Sequence, residues 1–201
     1  MRHLLSLIVL LTLSTASFAE SPYHTDVERV CENEFALCTS APCVPDPSNP
    51  DGQAICECEV AQGRNFGTST CDDRRPKTTA NGALTVLSTY AFVQAPTHAI
   101  IACEAGSLWT DCLDMPCVVD QKNPLRAICT CDIKTEGAFV TYGGACNKNT
   151  CHRSLWSAAS INALNSGNAL LMEFYPELSE PPYKFCPGDE ALANRLKNTK
   201  Q

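Results

Sequence analysis

A chain of 201 residues with 14 cysteines and a formal charge of −7 is acidic on balance, which argues against a polyanion as its ligand. Once the leader described below is removed, 14 Lys and Arg stand against 22 Asp and Glu, a charge of −8, and no nucleic-acid partner is expected. The basic clusters, Arg74-Arg75-Lys77 and Arg195 with Lys197 and Lys200, are small and read as solvated surface.

The chain opens with Arg2 and His3, an apolar run from Leu4 to Leu13 and a small-residue exit at Ser17 to Ala19, the pattern of a secretory signal over residues 1–19 with cleavage before Glu20. That run is shorter than the roughly 20 residues a membrane span needs. The later apolar region, Ala83 to Cys103, is broken by Ser88, Thr89, Gln94, Pro96, Thr97 and His98, so no transmembrane anchor is expected. The exported part holds all 14 cysteines, and an even number in an oxidising compartment makes seven disulfides the default. The location is therefore secreted or periplasmic. None of the twelve asparagines lies in an Asn-x-Ser/Thr acceptor, which tilts the reading towards a bacterial periplasm over a eukaryotic exterior.

Residues 20–95 form a first cysteine-rich repeat with Cys31, Cys38, Cys43, Cys56, Cys58 and Cys71. Within it, Asp46 to Gly52 carries turn chemistry, and Ala54 to Cys58 reads as a short strand whose period of two sends Cys56 and Cys58 to one face. A polar stretch, Asp72 to Gly82, leads into a Thr/Val/Tyr/Phe-rich tail from Leu84 to Val93 that favours a strand. Residues 96–201 form the second repeat, with Cys103, Cys112, Cys117, Cys129, Cys131 and Cys146, a turn over Asp120 to Pro124 and an apolar tail from Ser154 to Leu164. A turn at Ser166 to Asn168, a second apolar run from Ala169 to Tyr175, and a helix from Gly188 to Lys200 complete the chain; acid at the start of that helix and Arg195, Lys197 and Lys200 near its end suit the helix dipole. The fold class is small, disulfide-rich and mainly β: two tandem cysteine-rich modules with apolar tails and a short C-terminal helix.

The two cysteine sets correspond at offsets of 72 to 75 residues, and Pro42-Cys43-Val44, Asn49-Pro50 and Ala54-Ile55-Cys56 are echoed by Pro116-Cys117-Val118, Asn123-Pro124 and Ala127-Ile128-Cys129. A fixed period with matching neighbours marks a duplicated structural unit. Each block is a little over 40 residues, a size at which cross-links take over from a large core; a bridge closing about 15 residues is worth roughly 3 kcal/mol. Cys151 and Cys186 fall outside the duplicated set and most simply bond each other. A second alignment, Thr70-Cys71 with Thr150-Cys151, makes Cys146 the added cysteine and pairs it with Cys186.

The spacing Cys-x6-Cys-x4-Cys-x12-Cys-x-Cys-x12-Cys resembles that of epidermal growth factor-like modules, as do Phe66-Gly67 and Tyr142-Gly143 ahead of the last cysteine. The chain departs from that family where Pro precedes the third cysteine, where Ala54 and Ala127 stand in place of an aromatic, and where the calcium signature is missing. The resemblance implies pairing of Cys31 with Cys43, Cys38 with Cys56 and Cys58 with Cys71, and likewise in the second block. Six cysteines allow fifteen connectivities.

Chemistry-bearing residues are few. Cys56-Glu57-Cys58 and Cys129-Thr130-Cys131 have spacing that could ligate a soft metal, but an oxidising compartment favours disulfides. His24, His98 and His152 lack the i, i+2 or i, i+4 spacing of a zinc site, and Asp46, Asp51 and Glu57, with Asp120 and Asp132 in the second block, do not form a calcium loop. No Gly-x-Ser-x-Gly or His-Glu-x-x-His motif occurs. The sequence thus predicts no cofactor, no metal and no catalytic group. Trp109, Trp156, Tyr142 and Phe139 are the residues to examine for a ligand surface, although such a small aromatic set also suits the core. The expected function is that of an exported, non-enzymatic binding or structural protein whose partner is a protein or surface ligand of unknown kind. The alternative is a secreted protease inhibitor presenting the Cys43 to Cys56 loop, or a small secreted enzyme using one module.

Overall fold

The computed structural model describes residues 29–94, 97–179, 181–192 and 194. The signal expected over residues 1–19, His24, the expected repeat boundary at 95/96 and Arg195, Lys197 and Lys200 lie outside the described residues. The strands are β1 (Arg29–Leu37), β2 (Pro42–Pro45), β3 (Gln53–Gly67), β4 (Lys77–Thr78), β5 (Leu84–Leu87), β6 (Ala99–Cys103), β7 (Trp109–Asp111), β8 (Pro116–Val119), β9 (Arg126–Lys134) and β10 (Phe139–Thr141). They are followed by α1 (Thr150–Arg153), β11 (Leu155–Ser160), α2 (Ile161–Phe174) and β12 (Lys184–Phe185). The fold is mainly β and carries seven disulfides; Glu190 to Leu192 and Asn194 are helical near the C-terminus. Among the described residues no helix is long and apolar enough to cross a membrane.

The centre of the sheet runs β11-β2-β3-β9-β8-β5. β3 and β9, the two Ala-Ile-Cys-x-Cys strands, pair antiparallel with Cys56 opposite Cys129, Ala54 opposite Cys131 and Cys58 opposite Ala127. Corresponding residues therefore sit across a local two-fold axis that passes through the Cys56/Cys129 pair. Each strand continues into a hairpin with its own Pro-Cys-Val strand, Cys43 facing Cys56 and Cys117 facing Cys129. Beyond those hairpins the tails cross over. β5, behind the first block, pairs with β8 of the second, and β11, behind the second block, pairs with β2 of the first. Each tail completes the other block's sheet, so neither block closes its core alone.

The hairpin geometry dictates the disulfides. Directly opposed antiparallel residues bring their Cα atoms close enough for a bridge, and the two hairpin bridges, Cys43–Cys56 and Cys117–Cys129, each span 4.2 Å between Cα atoms. Two residues further along β3 and β9, Cys58 and Cys131 point to the same face and meet Cys38 and Cys112. The outermost cysteines close the set as Cys31–Cys71 and Cys103–Cys151. Pairing is nested, first with sixth, second with fifth and third with fourth. This corrects the order implied by the growth-factor resemblance, because a strand that turns back on its neighbour joins cysteines symmetrically about the turn. It also corrects the Cys151–Cys186 bond: Cys151 is the counterpart of Cys71, and Cys146 is the added cysteine, bonded to Cys186. Among the described residues no cysteine is free.

The eight inner half-cystines are all buried and form one core with Ala36, Ala54, Val86, Val119 and Ala127. Sulfurs of different bridges touch, Cys38 Sγ lying 3.4 Å from Cys129 Sγ and Cys112 Sγ 3.7 Å from Cys56 Sγ. A second core lies under α2, where Phe66 packs on Tyr90 and Phe92. The turn expected at Ser166 to Asn168 is instead the middle of α2, which Ser160 caps by accepting from the Ala163 N–H. Gly167 is there for packing: a Cβ would lie 2.7 Å from the Phe66 ring.

Among the described residues one Lys or Arg, Arg74, is not on the surface. Arg74 is fully buried, 0% exposed, donating to Asn65 Oδ1 at 3.3 Å and to the Gly67 carbonyl, with its Nε 3.9 Å from Asp114 Oδ1. Asp114 lies in the second block at φ 57° and accepts from Thr68 N–H at 2.7 Å, Thr68 Oγ1 at 2.6 Å and Ser69 N–H at 3.2 Å. Gly67 gives this pair its room, since a Cβ there would sit 2.8 Å from the Asp114 carboxylate. The solvated reading of the Arg74 cluster is thus corrected for Arg74, while Arg75 stays exposed in an ion pair with Asp72.

Candidate functional site

A groove of about 820 Å³ opens where the two blocks and the second tail meet. Its first wall is Pro42, Cys43 and Pro45 of β2 with Pro50 and Asp51 of the following turn. The turn is held by its own bonds: Asp46 Oδ1 accepts from Ser48 N–H and Oγ, and the Asn49 carbonyl accepts from Gln53 N–H. Those Ser48 bonds hold the Asp46 carboxyl below its ordinary range. The second wall is Ser107 and Leu108, on a turn that Gly106 makes possible at φ 95°, with Ile133 and Thr135 at the end of β9. The floor is His152, Arg153, Leu155 and Trp156, which α1 and β11 deliver and which the Cys103–Cys151 bridge ties to β6.

The groove is amphipathic. Leu108 is 53% exposed, and Trp156, Leu155 and Ile133 are half-buried, with prolines beside them. Polar groups converge from Asp51, Ser107, Thr135, His152 and Arg153. The Trp156 ring is wedged against Gly143, where a Cβ would meet it at 2.3 Å. Its indole N–H is buried with no acceptor among the described residues.

Ser107 Oγ lies 2.9 Å from His152 Nδ1. A serine–histidine pair works as nucleophile and base when a third group orients the imidazole, and no such bond to the other ring nitrogen occurs among the described residues. The pair stitches the Gly106 turn to α1, and it was not visible as a motif because 45 residues separate its members.

The residues singled out by sequence are scattered. His98 meets Thr97 Oγ1 at 2.9 Å and the edge of Tyr142, away from the Ser107–His152 pair. Glu57 faces Arg126 at 3.6 Å, Asp132 faces Lys134 at 3.5 Å, and Asp120 caps Lys122 N–H at 2.8 Å. Trp109 and Phe139 are core residues, stacked at 5.6 Å and 4% and 1% exposed. Tyr142 lines a separate apolar cavity of about 40 Å³ with Phe66, Tyr90, Phe92 and Tyr183, where burial pushes its phenol well above its ordinary value. Trp156 alone of the four reaches the groove. The opposite face of the sheet exposes Val44 and Val118, themselves two-fold related, with Ile128 beside them.

Asp111, on β7, has its carboxyl pushed up by burial, more than the Leu113 N–H and Lys134 draw it down. A folded-state value above the unfolded one means that the native state holds the proton longer, so this group's contribution to stability is full below the unfolded value and is lost as pH rises through the folded one. Asp111→Asn keeps an acceptor for the Leu113 N–H and removes the charge. It is expected to give a modest gain in thermal midpoint at pH 7 and no gain at pH 3; equal shifts at both pH values would contradict the burial origin.

No protein-family model, no curated protein and no solved structure matches this chain.

Proposed function

We propose that this chain is an exported, duplicated and non-enzymatic binding protein whose ligand surface is the groove built by both blocks. The observation that carries the reading is the composition of that groove: exposed Leu108 and half-buried Trp156 and Ile133 beside a small set of polar groups, on walls fixed by disulfides. Mostly apolar concave sites with a few convergent polar groups are what ligands use, and a rigid scaffold loses little entropy on binding. Seven disulfides also suit an oxidising, extracytoplasmic compartment. Bivalent contact through the two hairpin turns would be end to end. Those turns lead into Gln53 and Arg126, which lie at opposite ends of the β3/β9 pairing, six residues or about 20 Å apart.

The test is a protein and glycan array probed with the wild type, Leu108→Glu and Leu125→Glu. Leu125 is 69% exposed and lies outside the groove. A groove ligand should lose at least tenfold in affinity with Leu108→Glu and keep it with Leu125→Glu. A ligand lost only with Leu125→Glu would move the surface to the second hairpin.

The inhibitor reading draws on the Cys43–Cys56 clamp and the exposed tip from Pro47 to Asp51. Its backbone, however, is folded on itself through the Asp46 and Asn49 bonds, a tight turn where a protease cleft takes an extended strand.

A further inference from the structure

The two-fold relation that matches Cys43–Cys56 with Cys117–Cys129 and Cys38–Cys58 with Cys112–Cys131 is broken in the first of these pairs, and the break is chemical. Cys43 is 8% exposed and forms part of the groove wall, while its counterpart Cys117 is 0% exposed. The buried hydroxyl of Thr110 lies 3.2 Å from Cys43 Sγ and 3.5 Å from Cys56 Sγ, touching both sulfurs of the bridge. Two residues before the preceding cysteine, where the second block has Thr110, the first block has Ala36, so Cys117–Cys129 lacks that donor. On its inner side Cys56 Sγ lies 3.7 Å from Cys112 Sγ, and Cys56, Cys112 and Cys131 sulfurs are all within 4.8 Å of one another.

We propose that Cys43–Cys56 is a thiol–disulfide exchange site, entered from the groove by a thiol and relayed to Cys112–Cys131. An incoming thiolate attacks Cys43 Sγ, forming a mixed disulfide and expelling the Cys56 thiolate. Thr110 donates its hydroxyl proton in a hydrogen bond to that leaving sulfur, which lowers the thiolate's energy. Cys56 then attacks Cys112 Sγ, forming Cys56–Cys112 and expelling Cys131, which takes up the proton the incoming thiol gave up. The balance is one external thiol and two bridges converted to one mixed disulfide, one new bridge and one buried thiol; exchange of this kind needs no other oxidant. Cys129 has a neighbouring sulfur too, Cys38 at 3.4 Å, and Ser88 Oγ donates to that Cys38 sulfur at 3.3 Å, but the Cys117–Cys129 bridge itself lines no groove and, among the described residues, meets no hydroxyl. The site requires the groove to admit a small thiol and does not require it to hold a macromolecule, so it stands or falls separately from the binding reading.

The experiment exposes the native, oxidised chain to reduced glutathione, quenches in acid, alkylates and maps peptides without reduction. The expected products are glutathione on Cys43, a Cys56–Cys112 link and an alkyl group on Cys131, at least tenfold above any product from Cys117–Cys129. Thr110→Val, which keeps the side-chain shape, should lower the yield about tenfold, the worth of one hydrogen bond to a charged sulfur, and Thr110→Ser should restore it. Equal or no reaction at Cys43–Cys56 and Cys117–Cys129 overturns the site. A Cys43 adduct without Cys56–Cys112 overturns the relay, and an unchanged yield in Thr110→Val overturns the role of the hydroxyl.

Discussion

Asp114→Ala is expected to destabilise the chain by about 3–5 kcal/mol. The reason is what remains: Arg74 stays fully buried with the Asp114 carboxylate beside its Nε gone, and Thr68 N–H, Thr68 Oγ1 and Ser69 N–H lose their acceptor. Breaking a buried pair costs far more than the pair's net worth, because the uncompensated charge cannot reach water. Alanine also tolerates the left-handed φ of 57° less well than aspartate. Asp114→Asn separates these causes. It keeps an amide oxygen for the Thr68 and Ser69 donors and tolerates the backbone, so its loss reports the charge alone and should be smaller. Denaturant unfolding with all bridges intact measures both; a loss under 1 kcal/mol for Asp114→Ala would mean that Arg74 has found water or another acceptor.

Reduction is expected to unfold the chain outright, and in a definite order. In the chain-entropy model loops of 12 to 48 residues are each worth roughly 3–4 kcal/mol, so the loss of seven bridges exceeds the 5–15 kcal/mol by which domains are stable. Access sets the order. Cys71 is exposed and Cys146 half-buried, whereas Cys56, Cys117, Cys129 and Cys131 are wholly enclosed. A phosphine reductant should open Cys31–Cys71 first, and Cys43–Cys56 before the other three inner bridges. Cys117–Cys129 should persist until near-ultraviolet dichroism collapses. Partial products trapped by alkylation check this, and early loss of Cys117–Cys129 with tertiary signal retained would contradict the enclosed core.

The inner half of this architecture was legible in the chain. The period of two in Ala-Ile-Cys-x-Cys places both cysteines on one face, and the Asx and Pro residues at 46–52 and 120–124 mark the turns that make each block a hairpin. From that hairpin the nested pairing follows, but cysteine spacing alone is shared by several connectivities. What local sequence could not convey are the contacts made across the two-fold axis. Arg74 looks solvated because its carboxylate partner lies 40 residues away in the other block, and it is enclosed only when the blocks join. Gly167 reads as a turn because glycine usually marks one, yet its reason is the ring of Phe66, far earlier in the chain. Of the groove, Trp156, His152, Asp51 and the Cys43 to Cys56 loop were each named by sequence but for separate roles; Ser107 and Leu108 were not, and all are brought together through the reciprocal pairing of β11 with β2 and β7.

The molecule is at heart two hairpins stapled in nested order and joined about Cys56 and Cys129. Peptide mapping of the unreduced protein tests it most directly, with cleavage at Glu57 to separate Cys56 from Cys58 and electron-transfer fragmentation to separate Cys129 from Cys131. The expected peptides join Cys38–Cys58, Cys43–Cys56, Cys112–Cys131 and Cys117–Cys129 inside, with Cys31–Cys71, Cys103–Cys151 and Cys146–Cys186 outside. Recovery of Cys31–Cys43 and Cys38–Cys56, or of Cys151–Cys186, would contradict it.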